Sequence, residues 1–174
     1  FCLFNGAAVA ALHARARWGL KRVAVVDFDV HHGNGTQDIF ERDPDLLYIS
    51  SHQFPCYPGT GAADETGVDN NILNLPLRPG TGSAGFRAAW ESQGLPALRA
   101  FKPELLIVSA GFDAHKADPL ASLQLETADF GWMTDQLLAV ADSHCGGRSV
   151  LEGGYDLQAL AASAALHVRR LMRQ

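Results

Sequence analysis

The sequence predicts an α/β domain built on an open, mainly parallel sheet with helices on both faces. Four short apolar runs, at residues 23–29, 46–51, 105–110 and 149–153, are almost free of polar residues. Such runs are typical of strands that are buried on both faces. Helical patterns lie between the runs, and this alternation of strand and helix favours parallel pairing.

The helices are predicted from composition and from the spacing of apolar residues. The first predicted helix is rich in alanine, the second carries Phe86, Trp90 and Leu98, and Asp156 is a suitable N-cap for the last. The predicted helices are residues 5–18, 84–101, 127–143 and 157–171. Residues 52–79 are rich in Gly, Pro, Asn and Asp, so we predict loops there.

Composition excludes several classes of protein. A net charge of -5 disfavours a nucleic-acid-binding surface, and no apolar run approaches the ~20 residues of a membrane-spanning helix. Cys2, Cys56 and Cys145 are widely spaced and odd in number, which matches neither a zinc knuckle nor a disulfide framework. These features predict a cytoplasmic protein with no nucleic-acid or membrane partner.

A first group of polar residues follows the first predicted strand. Side chains alternate along a strand, so Asp27, Asp29 and His31 share one side. Ligands of open α/β sheets bind outside the carboxyl ends of the strands, where these residues lie. Buried carboxylates are costly unless they are paired or bind a metal, so the group predicts a cation site.

Two further polar segments follow the third and fourth predicted strands. Residues 111–120 place Asp113, His115 and Asp118 in one loop and offer a further ligand. One imidazole and two carboxylates suit catalytic Zn²⁺, and Fe²⁺, Co²⁺ or Mn²⁺ also accept such ligands. Tyr155 follows two glycines, and its hydroxyl could donate a hydrogen bond to a developing oxyanion.

Together these segments resemble the superfamily of histone deacetylases and acetylpolyamine amidohydrolases, which has an arginase-like α/β fold. The motifs at residues 111–115 and 151–156 are similar in sequence to those of the class II and bacterial branch. The matching segments are residues 1–5, 27–35, 57–61, 74–77, 111–120 and 151–156. The resemblance implies that residues 1–174 form one partial catalytic domain that lacks its N-terminal part.

The resemblance also implies roles for individual residues. It assigns one zinc ion per chain to Asp29, His31 and Asp118, and it makes Tyr155 the catalytic tyrosine that stabilises the transition state. The residues that it places around an acyl-lysine tunnel are Phe1, Tyr57, Leu125 and Gly153.

Two more sets of residues follow from the resemblance. Asp27 and Asn34 match residues that orient two catalytic histidines. A structural potassium ion is implied at the main chain of Asp27, Asp29, His31 and Ser51, with the side chains of Asp27 and Ser50.

The implied reaction is zinc-dependent hydrolysis of acetyl-lysine or of acetylated polyamines. In the family, a His-His pair upstream of the Phe-Cys segment carries the proton transfers, and the sequence does not include it. The chain alone is therefore expected to be impaired in an acetyl-lysine assay.

Two alternatives to a zinc deacetylase are open at this stage. A binuclear manganese ureohydrolase of the arginase type would need further ligands, which Asp113 and His115 could provide. A non-catalytic domain could bind acyl-lysine or a partner protein through an inactive pocket. The clustered acids disfavour this second alternative, because an inactive pocket has no need of them.

Overall fold

The structure, a computed structural model, describes residues 3–144 and 146–173. The strands are β1 (Val23–Asp27), β2 (Leu46–Gln53), β3 (Ile72–Leu77), β4 (Leu105–Ala110) and β5 (Gly146–Leu151). The helices are α1 (Gly6–Trp18), α2 (Asn34–Phe40), α3 (Ser83–Ala89), α4 (Leu95–Phe101), α5 (Thr127–His144) and α6 (Leu157–Leu171). A π-helical turn, Trp90–Gly94, joins α3 to α4, and Val68–Asn70 form a 3₁₀ turn.

The five strands form one sheet in the order β3-β2-β1-β4-β5, and every neighbouring pair is parallel. The predicted open, parallel α/β architecture is therefore confirmed. All four predicted strands are present, with ends that differ from the predicted ones by a few residues.

The prediction of continuous loop over residues 52–79 is wrong at β3. Asn74 and Pro76 interrupt the apolar pattern of this strand and conceal it in the sequence. Proline is tolerated because β3 lies at the edge of the sheet, where a missing N–H breaks no central ladder. The buried Asn74 Nδ2 donates to Gln37 Oε1 over 2.9 Å, whereas Asn74 Oδ1 has no hydrogen-bond partner among the described residues.

Alternate residues of β1 supply two cores on opposite faces of the sheet. Ala24 and Val26 belong to the larger core, which holds most of the buried aromatic side chains. Val23 and Val25 belong to the smaller core beneath α1, to which that helix contributes only alanines. Because both faces of the sheet are covered, every residue of β1 is buried. The polar side chain at its end, Asp27, therefore needs hydrogen-bond partners or a bound cation.

Caps fix the beginnings of the first and last helices. The Asn5 side chain accepts a hydrogen bond from the Ala8 N–H over 2.9 Å, and Asp156 accepts one from the Ala159 N–H over 2.8 Å. Asp156 is therefore the predicted N-cap of α6. Among the helices that the structure describes, none has the length and apolar composition needed to span a bilayer.

Candidate metal centre

The register of the sheet brings the polar segments together. Asp27 at the end of β1 lies opposite Ser50 of β2 and opposite Ser109 of β4. The chain therefore leaves these neighbouring strands at nearly the same level. Segments that follow different strands meet at this edge, as the rule for open α/β sheets predicts.

Asp29, His31 and Asp113 form a cluster at this edge in which the potential ligand atoms lie within 4.8 Å of one another. His31 Nδ1 is 3.2 Å from Asp29 Oδ1 and 3.1 Å from Asp113 Oδ2. Ligands at about 2.0 Å from a tetrahedral zinc ion are separated by roughly 3.3 Å. The cluster therefore has the donor types and the spacing that zinc requires.

Backbone N–H groups hold both carboxylates of the cluster in place. Asp29 Oδ1 accepts from the His31 N–H over 2.8 Å, and Asp29 Oδ2 accepts from the Gly153 N–H over 2.9 Å. Asp113 Oδ1 accepts from the Val30 N–H over 2.8 Å. These bonds link the ends of β1, β4 and β5, so the sheet itself orients the ligands.

Two glycines leave the space that the carboxylates occupy. A Cβ atom at Gly111 would overlap the side chain and Cα of Asp29, and one at Gly153 would overlap the carboxylates of Asp29 and Asp113. Any larger residue at either position would have to displace a ligand.

The electrostatics of the cluster favour a positive charge among the three side chains. Hydrogen bonds to Asp113 and Asp29 raise the pKa of His31 to about 10. Burial raises the pKa of Asp113 to about 6, and repulsion from Asp29 adds to this effect. Burial also acts to raise the pKa of Asp29, but hydrogen bonds from His31 and Gly153 outweigh it and lower that pKa. Either a proton on His31 or a metal cation satisfies this arrangement.

A cavity of about 560 Å³ opens in front of the cluster. Asp29 and His31 line it, together with Tyr57, Gly153 and Tyr155. The two tyrosines are 60% and 46% exposed. Tyr57, Gly153 and Tyr155, which the resemblance placed at the site, therefore line one cavity beside the cluster.

Comparison with known proteins agrees with this geometry. A family model described as the histone deacetylase domain matches residues 1–171. The chain belongs to the histone deacetylase family. The predicted superfamily is therefore confirmed.

The similar deacetylases include both sequences and a solved structure. The histone deacetylase-like amidohydrolase of Pseudomonas aeruginosa is 48% identical over 161 residues, covering 89% of this chain and 42% of that protein. The chloroplastic histone deacetylase 14 of Arabidopsis thaliana is 46% identical over 177 residues, covering 99% of this chain and 42% of that protein. The crystal structure of the HDA15 HD domain has a TM-score of 0.93 at 43% identity, covering 100% of this chain and 50% of that one. The chain spans about half the length of the curated relatives it matches.

The assignment of Asp118 as the third zinc ligand rests on the resemblance and stays a prediction. In the structure, Asp113 lies in the cluster with Asp29 and His31. The Asp118 carboxylate accepts hydrogen bonds from three backbone N–H groups, those of Leu120, Tyr155 and Asp156. The loop after β4 therefore offers two carboxylates as candidates for the third ligand.

The predicted tunnel residues lie in different surroundings. Leu125 is fully buried in the larger core, and its N–H donates to the Ala114 carbonyl. Phe1 lies outside the described residues. Tyr57 and Gly153 line the cavity, and the tunnel assignment stays a prediction.

Asp27 is buried behind the cluster. Its Oδ1 accepts from the Asp29 N–H, and its Oδ2 accepts from the Tyr48 hydroxyl, both over 3.0 Å. Burial and repulsion from Asp29 raise the pKa of Asp27 well above its usual range. The potassium site that the resemblance implies at this point stays a prediction.

Two further residues were predicted from the resemblance: Ser50 for the potassium site and Asn34 for orienting a catalytic histidine. The Ser50 hydroxyl is buried and lies 2.9 Å from His52 Nδ1. Asn34 is exposed at the start of α2 and lines the cavity.

The histidines of the loops differ from the ligand His31. His115 Nδ1 accepts from the Ala117 N–H over 3.1 Å, and its ring stacks on Phe130. His115 is therefore turned away from the cluster and offers no ligand for a second metal. Among residues 3–144 and 146–173, no second group of three such ligands occurs. This finding disfavours the binuclear ureohydrolase.

Sequence reasoning missed a polar network that holds the loop carrying Tyr57. His32 Nε2 contacts Gln37 Oε1 over 2.9 Å, and Gln37 Nε2 donates to Glu65 Oε2 over 2.6 Å. Glu65 also accepts from the backbone N–H groups of Gly61 and Ala62. Because these residues are distant in sequence and individually ordinary, only the fold reveals the network.

Proposed function

We propose that the protein is a zinc-dependent deacetylase that removes acetyl groups from acetyl-lysine or from acetylated polyamines. The observation that supports this proposal is the cluster of Asp29, His31 and Asp113 beside a cavity that Tyr155 lines. Family membership gives the reaction type, and the cluster gives a place for the metal.

The ligands of this chain would hold one zinc ion and leave a coordination position open for water or substrate. A bound zinc ion supplies a Lewis acid that polarises the amide carbonyl and lowers the pKa of a water molecule. His31 must bind through Nδ1, since that atom faces both carboxylates. Backbone N–H groups donate hydrogen bonds to Asp29 and Asp113, and these bonds would orient both carboxylates before a metal binds.

Tyr155 is the residue of this chain that would act on the substrate directly. Its hydroxyl would donate a hydrogen bond to the carbonyl oxygen as negative charge develops there. Tyr57 and Gly153 would shape the wall along which the acyl chain enters. A potassium ion held by Asp27, Ser50 and neighbouring carbonyl groups would offset the buried acidic charge behind the ligands.

The test uses the whole protein and compares Tyr155 with an exposed aromatic residue outside the cavity. We expect one zinc ion per chain by elemental analysis and turnover of an acetyl-lysine peptide, an acetylated polyamine, or both. Tyr155→Phe should lower kcat by about 100- to 1,000-fold while zinc is retained, because one oxyanion donor is lost. Trp18→Phe removes the hydrogen-bond donor of an exposed ring at the end of α1 and should leave kcat within about threefold of the wild-type value.

Several outcomes would contradict the proposal. Two manganese ions per chain with hydrolysis of a guanidino substrate would indicate a ureohydrolase. A zinc-loaded protein that turns over neither class of acetamide would leave only a binding role. An unchanged kcat for Tyr155→Phe would remove the tyrosine from the mechanism.

A further inference from the structure

The loop that carries Tyr57 is attached to the sheet at two ends. At the first end it leaves β2, and the Phe54 N–H donates to the Leu77 carbonyl of β3 over 2.8 Å. Residues 54–60, all of which the structure describes, are exposed or half-buried, so burial in the core fixes them only in part. Gly61 at the second end is buried. The contacts of Gly61 therefore help to decide where Tyr57 lies on the cavity wall.

Gly61 packs against two histidine rings. Its φ of 93° and the closeness of both rings require glycine, since a Cβ atom there would overlap His52 and His32. The Gly61 carbonyl accepts from His52 Nε2 over 2.9 Å, and Thr60 Oγ1 lies 2.8 Å from His32 Nδ1. A small displacement of this end of the loop would therefore break close contacts with both histidines.

Glu65 anchors the same end through its carboxylate. Its Oε1 accepts from the Gly61 N–H over 3.1 Å and from the Ala62 N–H over 3.0 Å, and its Oε2 accepts from Gln37 Nε2 over 2.6 Å. Burial acts to raise the pKa of Glu65, but the hydrogen bonds from Gln37 and from the two backbone groups outweigh it and lower that pKa. Glu65 is therefore a charged group at neutral pH that only accepts hydrogen bonds.

Gln37 connects Glu65 to the rest of the fold and has a fixed orientation. Its Oε1 accepts from Asn74 Nδ2 over 2.9 Å and lies 2.9 Å from His32 Nε2. Its Nε2 faces the Glu65 carboxylate. Reversing the amide would place its NH₂ group against the Asn74 donor and its oxygen against a carboxylate. Gln37 can therefore serve Glu65 only as a donor.

We propose that Gln37 and Glu65 are a positioning pair that sets the place of Tyr57 on the cavity wall and thereby the affinity for the acyl substrate. The inference rests on the proposed function, in which Tyr57 shapes the wall along which the acyl chain enters. Within the part of the chain that the structure describes, neither Gln37 nor Glu65 lines the cavity, so the pair acts through the loop.

The experiment exchanges the two side chains in the whole protein. Glu65→Gln alone either sets two NH₂ groups against each other or takes the acceptor away from Gly61, because the orientation of Gln37 is fixed. Gln37→Glu alone sets two carboxylates against each other. The double variant, Gln37→Glu with Glu65→Gln, restores a donor opposite an acceptor at each of these contacts and keeps the net charge of the wild type.

The kinetic readout is the acetamide that the wild-type protein hydrolyses. Each single variant should raise KM by about tenfold and leave kcat within about threefold, because a displaced wall weakens the binding of substrate and transition state alike. The double variant should return KM to within about threefold of the wild-type value. Asp64→Asn is the matched control, since it removes one charge from the exposed neighbouring residue, and it should change neither value. Wild-type KM in both single variants, or a double variant no better than either of them, would overturn the inference.

A second cycle tests whether the pair acts through Tyr57. In a Tyr57→Ala background, Glu65→Gln should change KM by less than about twofold, because the side chain that it positions is already absent. An equal rise of KM in both backgrounds would show that Glu65 acts on the fold as a whole, and the inference would then be wrong.

Amide hydrogen exchange tests the anchor without any catalysis. In Glu65→Gln, the Gly61 and Ala62 amides should exchange at least about tenfold faster and should return to wild-type rates in the double variant. The Phe54 amide, which binds the Leu77 carbonyl at the other end of the loop, should keep its rate. Unchanged exchange at both Gly61 and Ala62 would overturn the inference. If the wild-type protein hydrolyses no acetamide, the proposed function fails, while the exchange rates still decide whether the pair anchors the loop.

Discussion

Asp113 and Asp118 lie in the same loop after β4, but their carboxylates have different partners. Asp113 faces His31 Nδ1 at 3.1 Å and completes the metal cluster. Asp118 faces backbone N–H groups on either side of the loop. Composition could therefore predict a metal-binding loop, and both carboxylates are candidates for the third ligand, Asp113 by its place in the cluster and Asp118 by the resemblance.

The largest expected effect of substituting either residue is on zinc affinity. The resemblance predicts that Asp118→Asn weakens zinc binding by more than about 100-fold, because a negatively charged ligand is replaced by a weak one. The place of Asp113 in the cluster predicts a loss of the same size for Asp113→Asn. Competition with a chelator of known affinity measures both values in the whole protein.

The exposed Asp64 provides the control for loss of one acidic charge, and Asp64→Asn should bind zinc as the wild type does. Equal weakening by Asp113→Asn and Asp118→Asn would show that both carboxylates contribute to zinc binding. Tight binding by Asp113→Asn would exclude Asp113 from the ligand set.

The same contrast explains how much of the site the sequence could predict. Asp27, Asp29 and His31 follow a strand whose alternation fixes which side each residue takes, so two members of the cluster could be predicted. The third lies in a loop, where no period relates position to direction. Its partner His31 is distant in sequence, and only the pairing of β1 with β4 brings them together.

The fold was predictable wherever long apolar runs dominate and not where polar residues are buried. Four strands could be predicted from such runs, whereas β3 was concealed by Asn74 and Pro76. The burial of Leu125 has the same origin, since a bridge between Leu125 and His115 draws this leucine into the core. Such tertiary contacts leave no local signal in the sequence.

A second prediction uses the space around the ligands. Gly153→Ala should weaken zinc binding by about 10- to 100-fold, because the new Cβ atom would overlap the carboxylates of both Asp29 and Asp113. Gly35→Ala is the control near the same cavity, since its Cβ atom would make an ordinary contact 3.8 Å from the Asn5 side chain. Full zinc affinity in Gly153→Ala would show that the ligands tolerate displacement.

A third prediction concerns pH. The pKa of His31 is raised to about 10 and that of Asp113 to about 6, so each group must release a proton before it can bind zinc. Zinc affinity should therefore rise about tenfold per pH unit above pH 6 and should fall more steeply with acid below pH 6. Chelator competition between about pH 5 and pH 8 measures this slope.

Asp113→Asn should remove the steeper part of the profile below pH 6, since the group with the raised pKa is gone. A wild-type affinity independent of pH would mean that no proton leaves the cluster when zinc binds.

The smallest expected effect is on folding. Asp118→Ala should lower the free energy of unfolding of the zinc-free protein by about 1 to 3 kcal/mol, because hydrogen bonds to a charged acceptor are lost. Denaturant unfolding in the presence of a chelator measures this change. An unchanged free energy of unfolding would show that the hydrogen bonds from Leu120 and Tyr155 do not stabilise the zinc-free protein.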